Sequence, residues 1–437
     1  MSAAIAATRL YRVRYGVLAM LFAVTVVNYA DRATLSLAGP PLSKQLGLTP
    51  VSLGWVFSAF GWTYVLAQVP GGWLLDRFGS RLVYCASLIL WSVFTVLQGG
   101  VGLLAAAAAI PVLFVLRALV GVAEAPSFPA NGRIVATWFP TAERGTAAAI
   151  FNSAQYLATA LFAPIMGAII TLLGWPAVFY TMGGLGIALG LLWLATMHDP
   201  ARHPSLPPAE LAEMRAGGAL VDIDQASAAP SATWPHVRQL LANRMFLGIC
   251  IGQYCISVLT YFFLTWFPVY LVQQRHMSIL NAGLVAAIPA LCGFLGGVLG
   301  GVASDRLFRA GVSLTWARKT PIVLGLLMST AMIACNYVDA PWAVVAIMAV
   351  AFLGKGIGAL GWAVVSDTAP RQMIGLCGSI FNTFGNVAGI TTPIVIGALV
   401  QGSGAFDGAL VFVGANAVLA VLSYLLVVGQ IRRIELH

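Results

Sequence analysis

The chain has 437 residues, of which 60% are hydrophobic and only 8% are charged. Soluble domains carry about 25% charged residues, so this composition excludes a soluble enzyme and indicates an integral membrane protein. Apolar stretches recur along the whole sequence, which also excludes a single-span receptor with a large soluble domain.

Twelve stretches are long enough to cross a membrane, since a spanning helix needs about 20 mainly apolar residues. Arg9, Arg12 and Arg14 precede the first stretch and resemble the start of a signal peptide. The apolar run continues beyond signal-peptide length, so we assign it to a first membrane helix. The predicted spans cover residues 15–37, 51–75, 82–101, 108–132, 146–172, 175–196, 245–272, 280–304, 319–338, 341–365, 374–401 and 407–430.

One long polar interval, residues 197–244, divides the spans into two groups of six. It is rich in proline, which is typical of a linker. We therefore predict an all-α membrane protein with an N-terminal six-helix half at 1–196, a linker at 197–244 and a C-terminal six-helix half at 245–437. Within the linker, the segment from Pro207 to Glu210 predicts the start of a short surface helix.

The charge of the chain is strongly basic, with 23 Lys and Arg against 14 Asp and Glu. Eighteen of the basic residues flank the spans on the side that holds both termini, and only Lys44 and Arg275 lie on the opposite side. Basic residues in short loops mark the cytoplasmic face of a membrane protein. We therefore expect cytoplasmic termini and a cytoplasmic linker, and we attribute the basic charge to topology rather than to nucleic-acid binding.

The two halves repeat one another in sequence. Residues 72–77, GWLLDR, recur as residues 301–306, GVASDR, at an offset of 229. Residues 150–152, IFN, recur as residues 380–382 at an offset of 230. Two parallel repeats are typical of transporters whose halves rock about a site held between them.

Residues 72–81, GWLLDRFGSR, resemble the motif between helices two and three of the major facilitator superfamily, with Ser80 at a position that is usually basic. Residues 28–39, 121–133 and 262–271 look like the anion:cation symporters of that superfamily. Together with the twelve spans, the linker and the repeat, this resemblance covers essentially the whole chain. It implies the major facilitator fold.

Two further segments, residues 151–156 and 354–370, are most similar to bacterial proton symporters for sugar acids, especially glucarate and galactarate. The resemblance implies a proton-coupled importer of these aldarates that works by alternating access in the bacterial inner membrane. An aldonate or hexuronate such as D-galactonate or glucuronate, or another organic anion, is the alternative substrate. A monomer is implied, with the sugar-acid anion, protons and lipid as partners and no nucleic acid, cofactor or metal.

Five charged residues lie clearly at membrane depth within the predicted spans: Asp31, Arg32, Arg117, Glu124 and Lys355. Each costs at least about 2.5–3.5 kcal/mol to insert, so such residues are retained when they are paired or functional. Asp31 and Glu124 are either members of internal salt bridges or proton carriers. In the resembled symporters, the matching acids of helices one and four are the proton-coupling pair.

Arginine suits carboxylate recognition because its planar fork makes two parallel charged hydrogen bonds. We assign this role first to Arg32, while Arg117 either binds substrate or partners Glu124 or Asp31. An aldarate has a carboxylate at each end, and we hypothesise that Lys355 binds the second one. The alternative for Lys355 is a snorkelling or acid-paired lysine near the membrane edge.

The resemblance adds polar and aromatic residues that contact the sugar acid. Tyr64 is equally compatible with packing, and the repeat of Asn152 at Asn382 is compatible with shared helix packing. Weaker candidates are Gln253, Tyr254 and Tyr261. The resemblance assigns substrate binding to Tyr29, Tyr64, Gln155, Trp362, Asn382 and Asn386.

Charged residues of the repeated loops are candidates for a cytoplasmic latch that breaks when the cavity opens inward, or they are simply solvated charges. Asp367 is interpreted as a salt-bridge partner in the same region. The predicted gating residues are Asp76, Arg77, Arg144, Asp305 and Arg306.

Other function classes lack support in the sequence. Residues 356–361 fit G-x-G-x-x-G, but they lie in an apolar span and open no strand-to-helix nucleotide loop. No Walker-type phosphate loop is present, which argues against transport driven by ATP. An enzyme needs a catalytic or metal-ligand cluster and a channel needs a ring or filter, and the sequence indicates neither.

Overall fold

A computed structural model describes residues 13–140, 143–221, 234–369 and 374–434. The side chains of Asp76, Arg144 and Asn152 lie outside the described part, so the gating predictions for Asp76 and Arg144 have no structural counterpart here.

The described residues contain twelve helices that are long and apolar enough to span a membrane, which confirms the predicted all-α architecture. Breaks at residues 125–126 and 358–360 divide α4 and α10, and a π-helical turn at Phe262–Trp266 joins the two parts of α7. The helices are α1 Val13–Leu46, α2 Pro50–Phe78, α3 Ser80–Gly99, α4 Ala106–Glu124 with Ser127–Trp138, α5 Arg144–Leu173, α6 Trp175–Thr196, α7 Arg244–Tyr261 with Phe267–Gln273, α8 Ile279–Arg309, α9 Leu314–Ser329, α10 Pro341–Ile357 with Gly361–Thr368, α11 Ile374–Ser403 and α12 Asp407–Leu422.

Short connections make consecutive helices antiparallel neighbours. Gly79 and Gly174 connect α2 to α3 and α5 to α6 with φ values of 77° and 84°, which only glycine adopts without strain. Thr49 caps α2 by accepting a hydrogen bond from the Ser52 amide at 3.2 Å, and Pro50 occupies the first helical position. We call the end of the bundle near Gly79 and the linker the linker end, and the opposite end near Gly174 the far end.

The first part of the linker is bound to the N-terminal half. It forms the predicted short helix, Pro208–Ala216, whose Glu210 carboxylate accepts from the backbone amides of Val13 and Arg14 at 3.1 and 3.4 Å. The buried Arg14 guanidinium contacts Glu143 at 3.1 Å and Glu213 at 3.3 Å. Residues 200–221 therefore move with the N-terminal half rather than as a free tether.

A histidine of this segment is partly buried. His203 packs edge-on against Trp138 at 5.5 Å and lies beside His198. Burial, and then the neighbouring His198, lower the pKa of His203 from its ordinary value. His203 is thus neutral near pH 7 and does not add to the basic charge of the linker end.

Helices α2 and α11 from opposite halves cross closely at the far end. A Cβ atom added at Gly54 would stand 2.5 Å from the carbonyl oxygen of Pro393, and one added at Gly397 would stand 2.6 Å from that of Pro50. Glycine is required here because real Cβ atoms do not approach a carbonyl oxygen so closely.

The second crossing, between α5 and α8, repeats the first. A Cβ atom at Gly283 would stand 2.5 Å from the carbonyl oxygen of Ala163, and one at Gly167 would stand 3.1 Å from that of Ile279. Gly283 follows Gly54 by 229 positions, and Gly397 follows Gly167 by 230, so the two crossings are equivalent in the repeat. The halves therefore meet at the far end through a symmetric pair of glycine contacts.

We expect Gly54→Val or Gly283→Val to oppose closure of the far end, because each side chain would collide with a backbone carbonyl of the other half. Overpacking of this kind costs about 1–3 kcal/mol, enough to shift a two-state equilibrium toward the conformation with a separated far end. Distances between spin labels at the exposed positions Leu172 and Asn281 should lengthen. Gly184→Val is the control, since a Cβ there meets nothing within 4 Å. Unchanged distances in both crossing variants would contradict the assignment.

Candidate functional site

A cavity of about 740 Å³ lies between the two halves. It is bounded by the crossings at the far end and extends toward the linker end, where Phe128 and Ile150 line it. Its volume falls in the range of about 300–1,000 Å³ typical of small-molecule sites. Predicted site residues on its wall are Tyr29, Arg32, Gln155, Lys355, Trp362, Asn382 and Asn386.

The N-terminal wall of the cavity carries a buried ion pair. Arg32 of α1 donates from Nε to Glu124 Oε1 of α4 at 2.6 Å, and its Nη2 contacts the same oxygen. Glu124 Oε2 is buried without a hydrogen-bond partner in the described part of the chain. Arg32 therefore holds one carboxylate oxygen and lies at the cavity surface, where another anion can compete for it.

Aromatic rings surround the Arg32 guanidinium. Its central carbon lies 5.0 Å from the ring centroid of Tyr29, 4.9 Å from that of Phe60 and 5.0 Å from that of Tyr64. The rings stabilise the cation through their negative faces while excluding water. Tyr64 is buried, stacks on Phe60 at 5.1 Å and does not line the cavity, so its position fits support of Arg32 better than direct substrate contact.

Asp31 points away from Arg32, toward α3. Its Oδ2 accepts a hydrogen bond from Thr95 Oγ1 at 2.7 Å, and its Oδ1 is buried without a partner among the described residues. The sequence analysis did not predict Thr95 as a partner of Asp31. Its hydroxyl group within the apolar span α3 was the signal that could have indicated it. Asp31 and Glu124 are thus two buried carboxylates, each with one unsatisfied oxygen.

Arg117 lies beside the backbone of α1, and its charge interacts with that of Asp31, one of its two predicted partners. Its Nη2 donates to the backbone carbonyl of Arg32 at 3.1 Å, and no carboxylate of the described residues lies within 4 Å of it. It is buried, and it is absent from the cavity wall. The sequence left Arg117 as a substrate ligand or a partner of Glu124 or Asp31. Arg32 of α1 forms the ion pair with Glu124, and Arg117 holds the backbone of α1.

Lys355 supplies a cation from the C-terminal half. It is buried on α10, beside the break at residues 358–360. Its Nζ lies 5.1 Å from the ring centroid of Phe352 and 5.8 Å from that of Tyr156. In the described ranges no carboxylate comes within 4 Å of it, so the acid-paired alternative receives no support.

Lys355 also marks the junction between the large cavity and a smaller one of about 50 Å³ on the side of Phe263 and Phe267. The smaller space holds a few water molecules by volume. Tyr156 lines both cavities and was missed as a site residue, although it lies in the segment 151–156 that carries the family resemblance.

Polar residues of α7 and α11 complete the C-terminal wall. Tyr261 donates a hydrogen bond to Asn386 Oδ1 at 3.1 Å, and Gln253 Nε2 lies 3.4 Å from Ser257 Oγ. The Trp362 ring packs edge-on against Phe381 at 5.0 Å and is about half exposed. These groups offer hydrogen bonds to hydroxyls and an apolar face for the C–H side of a sugar.

The predicted gating charges that the structure describes form contacts within their own halves. Asp305 pairs with Arg318 at 3.3 Å rather than with Arg306, and Arg318 also pairs with Asp367 at 2.8 Å. Arg77 lies 5.9 Å from the ring centroid of Trp73. None of these contacts bridges the halves, as expected where the linker end is open.

Comparison with known proteins agrees with this architecture. The Major Facilitator Superfamily profile matches residues 21–393. The chain resembles the crystal structure of a bacterial homolog to the human lysosomal transporter Spinster. The TM-score is 0.74 and the sequence identity is 17%, over 95% of this chain and 96% of the other. This likeness shows the fold.

Curated relatives cover nearly the whole chain. The chain is 59% identical to a probable galactarate/D-glucarate transporter, GudP, of Bacillus subtilis (strain 168), over 97% of this chain and 94% of the relative. It is 58% identical to the GudP of Escherichia coli (strain K12), over 97% and 95%. It is 42% identical to a D-galactonate transporter of Escherichia coli O6:H1, over 97% of each chain.

The twelve helices in two repeated halves, the family profile and relatives of this similarity lead to one conclusion. The chain belongs to the major facilitator superfamily, and it is a multi-pass membrane transporter rather than an enzyme.

Proposed function

We propose that this protein is a proton-coupled symporter that imports the aldarates D-glucarate and galactarate by alternating access. The observation that supports it best is that each half places one cation on the cavity wall. Arg32 of the N-terminal half is bound by Glu124, whereas Lys355 of the C-terminal half faces the cavity without a carboxylate among the described residues. A substrate with a carboxylate at each end satisfies both cations. The names of the 59% and 58% identical relatives agree with this substrate class.

The N-terminal half provides the coupling. An incoming substrate carboxylate competes with Glu124 for Arg32, and a displaced Glu124 is a buried carboxylate without a counter-ion. Uptake of a proton by Glu124 removes that cost. Asp31, held by Thr95 on the other side of α1, is the second proton carrier. No cofactor is needed, because the proton gradient supplies the driving force.

The C-terminal half provides selectivity. An uncompensated lysine at membrane depth is costly, and a bound anion offsets that cost. Tyr261, Asn386 and Trp362 lie where the hydroxylated middle of a sugar acid would rest. A substrate held by both halves favours their approach around it, which closes the open cavity.

The membrane arrangement follows from the distribution of basic residues. We place the linker end, with both termini, in the cytoplasm and the protein in the bacterial inner membrane as a monomer. In that orientation the structure corresponds to an inward-open state, with the far end closed by the two glycine crossings.

Uptake by proteoliposomes tests the proposal as a whole. With an inward proton gradient, labelled glucarate and galactarate should accumulate, and collapse of the gradient should abolish accumulation while counterflow exchange continues. Accumulation of galactonate or glucuronate in preference to both aldarates would favour the alternative substrate, in line with the 42% identical relative. Absence of proton-driven accumulation of every sugar acid would reject the proposal.

Glu124→Gln should retain counterflow exchange of glucarate and lose accumulation driven by a pH gradient. The amide keeps the shape of the side chain, but it cannot take up the proton when Arg32 changes partner. Glu213→Gln is the matched control, since Glu213 contacts Arg14 at the linker end and not the cavity. Gradient-driven accumulation by Glu124→Gln at the rate of the unmodified protein would rule out this role.

Lys355→Gln should raise the KM for glucarate roughly tenfold or more and leave the KM for galactonate nearly unchanged. Only the aldarate has a second carboxylate for Lys355, and a hydrogen bond to a charged group contributes about 1.5–3 kcal/mol. Asn386→Ala, on the same cavity wall, is expected to weaken the binding of both substrates. Equal effects of Lys355→Gln on glucarate and galactonate, or no effect on either, would show that Lys355 does not discriminate between them.

A further inference from the structure

A second large cavity, of about 690 Å³, lies at the linker end of the C-terminal half, apart from the transport site. It separates the beginning of α7 from the chain that follows α12. Arg244, Arg432 and Arg433 line it, and its wall contains no acidic residue from the described part of the chain. Its wall also includes apolar side chains such as Met245 and Val427.

The chain after α12 is held in a defined position. It turns at Gly429, where φ is 62°, and the Ile431 amide then donates to Thr315 Oγ1 at 3.0 Å. The Ile434 amide donates to the Thr368 carbonyl at 2.8 Å, and both isoleucine side chains are buried. The arginines between them, Arg432 and Arg433, are therefore presented on the outer side of a fixed segment.

Two of the three guanidinium groups are oriented by backbone carbonyls. Arg244 Nη2 donates to Leu426 at 2.8 Å, and Arg433 Nη1 donates to Ala369 at 3.1 Å. Each group keeps further N–H donors for a ligand. Within the described ranges, no carboxylate lies within 4 Å of any of the three arginines.

The internal repeat provides an equivalent of the Arg244 position in the N-terminal half, where carboxylates surround the arginine. Arg244 follows Arg14 by 230 positions, and each lies in the first described turn of the first helix of its half. In the N-terminal half, Glu210 accepts from the Val13 and Arg14 amides, and Glu143 and Glu213 contact the Arg14 guanidinium. Among the described residues, the C-terminal half has the equivalent arginine, two more arginines and a cavity where the N-terminal half has these carboxylates.

The cavity lies at the level where membrane meets water. Both α7, which begins at Arg244, and the helix that ends near Val427 are membrane-spanning. Leu425 and Leu426 at its rim are 40% and 64% exposed, so an apolar surface adjoins the arginines. A helix beginning offers unpaired backbone amides to an anion, and basic pockets at this depth suit phosphate headgroups.

We propose that this cavity binds the phosphate headgroup of an anionic phospholipid, whose acyl chains lie along Leu425 and Leu426. The headgroup occupies the position that linker carboxylates fill in the N-terminal half. It joins α7, α12 and the chain after α12 at the membrane surface. This site is independent of the transported substrate.

Native mass spectrometry of the full chain tests the proposal. The protein is released from nanodiscs of phosphatidylcholine that contain a minor fraction of phosphatidylglycerol, and retained lipid is counted. We expect one retained phosphatidylglycerol, with an affinity reduced about tenfold or more in Arg432→Gln/Arg433→Gln. Arg432→Gln alone should give an intermediate loss, and it removes no hydrogen bond recorded in the structure, so it keeps the test valid if the double variant folds poorly.

The matched control is Arg202→Gln/Arg309→Gln, which removes two exposed arginines at the linker end outside the cavity. It should retain phosphatidylglycerol as the unmodified protein does. Equal retention by the cavity and control variants would overturn the proposal. In pure phosphatidylcholine, stabilisation by inorganic phosphate equal to that given by phosphatidylglycerol would show that soluble phosphate is the occupant, and would overturn the lipid assignment.

Discussion

The ion pair between Arg32 and Glu124 is the interaction on which the account of transport depends. Both groups are buried between α1 and α4, and the removal of one partner from a buried pair costs about 3–5 kcal/mol. The pair can therefore separate only when something replaces the lost partner. A substrate carboxylate can replace Glu124 at Arg32, and a proton can neutralise Glu124, so one exchange requires the other.

The surroundings of the pair enforce this exchange. Tyr29, Phe60 and Tyr64 surround Arg32 and stabilise its charge, and Arg32 lies on the cavity wall, so a competing anion reaches it from the cavity. Glu124 ends the first part of α4, and Lys355 lies near the end of the first part of α10, the equivalent helix of the other half. The same broken-helix frame thus carries an acid in one half and a base in the other, and these unlike walls are the ones that the proposed dianion would bridge. The same asymmetry recurs at the linker end, where Arg14 meets carboxylates and Arg244 meets a cavity.

Much of this arrangement was predictable from sequence, because the bilayer imposes strict rules on a chain. Apolar length identified the twelve spans, and the cost of buried charge reduced the search to Asp31, Arg32, Arg117, Glu124 and Lys355. What sequence could not supply was which helix faces which. The sequence left open whether Arg117 partners Glu124 or Asp31, and tertiary packing brings Arg32 of α1 to Glu124. The contact of Thr95 with Asp31 and that of Arg318 with Asp305 likewise join different helices, so their identification required the tertiary structure.

The most direct test of the account follows the protonation of Glu124 itself as substrate binds. Infrared difference spectra of the reconstituted protein, recorded with and without glucarate, report the stretching band of a newly protonated carboxyl group. The account predicts that glucarate produces this band in the unmodified protein and that the band is missing in Glu124→Gln. A difference spectrum without a protonated-carboxyl band, or a band that persists unchanged in Glu124→Gln, would contradict the claim that substrate displaces Glu124 from Arg32.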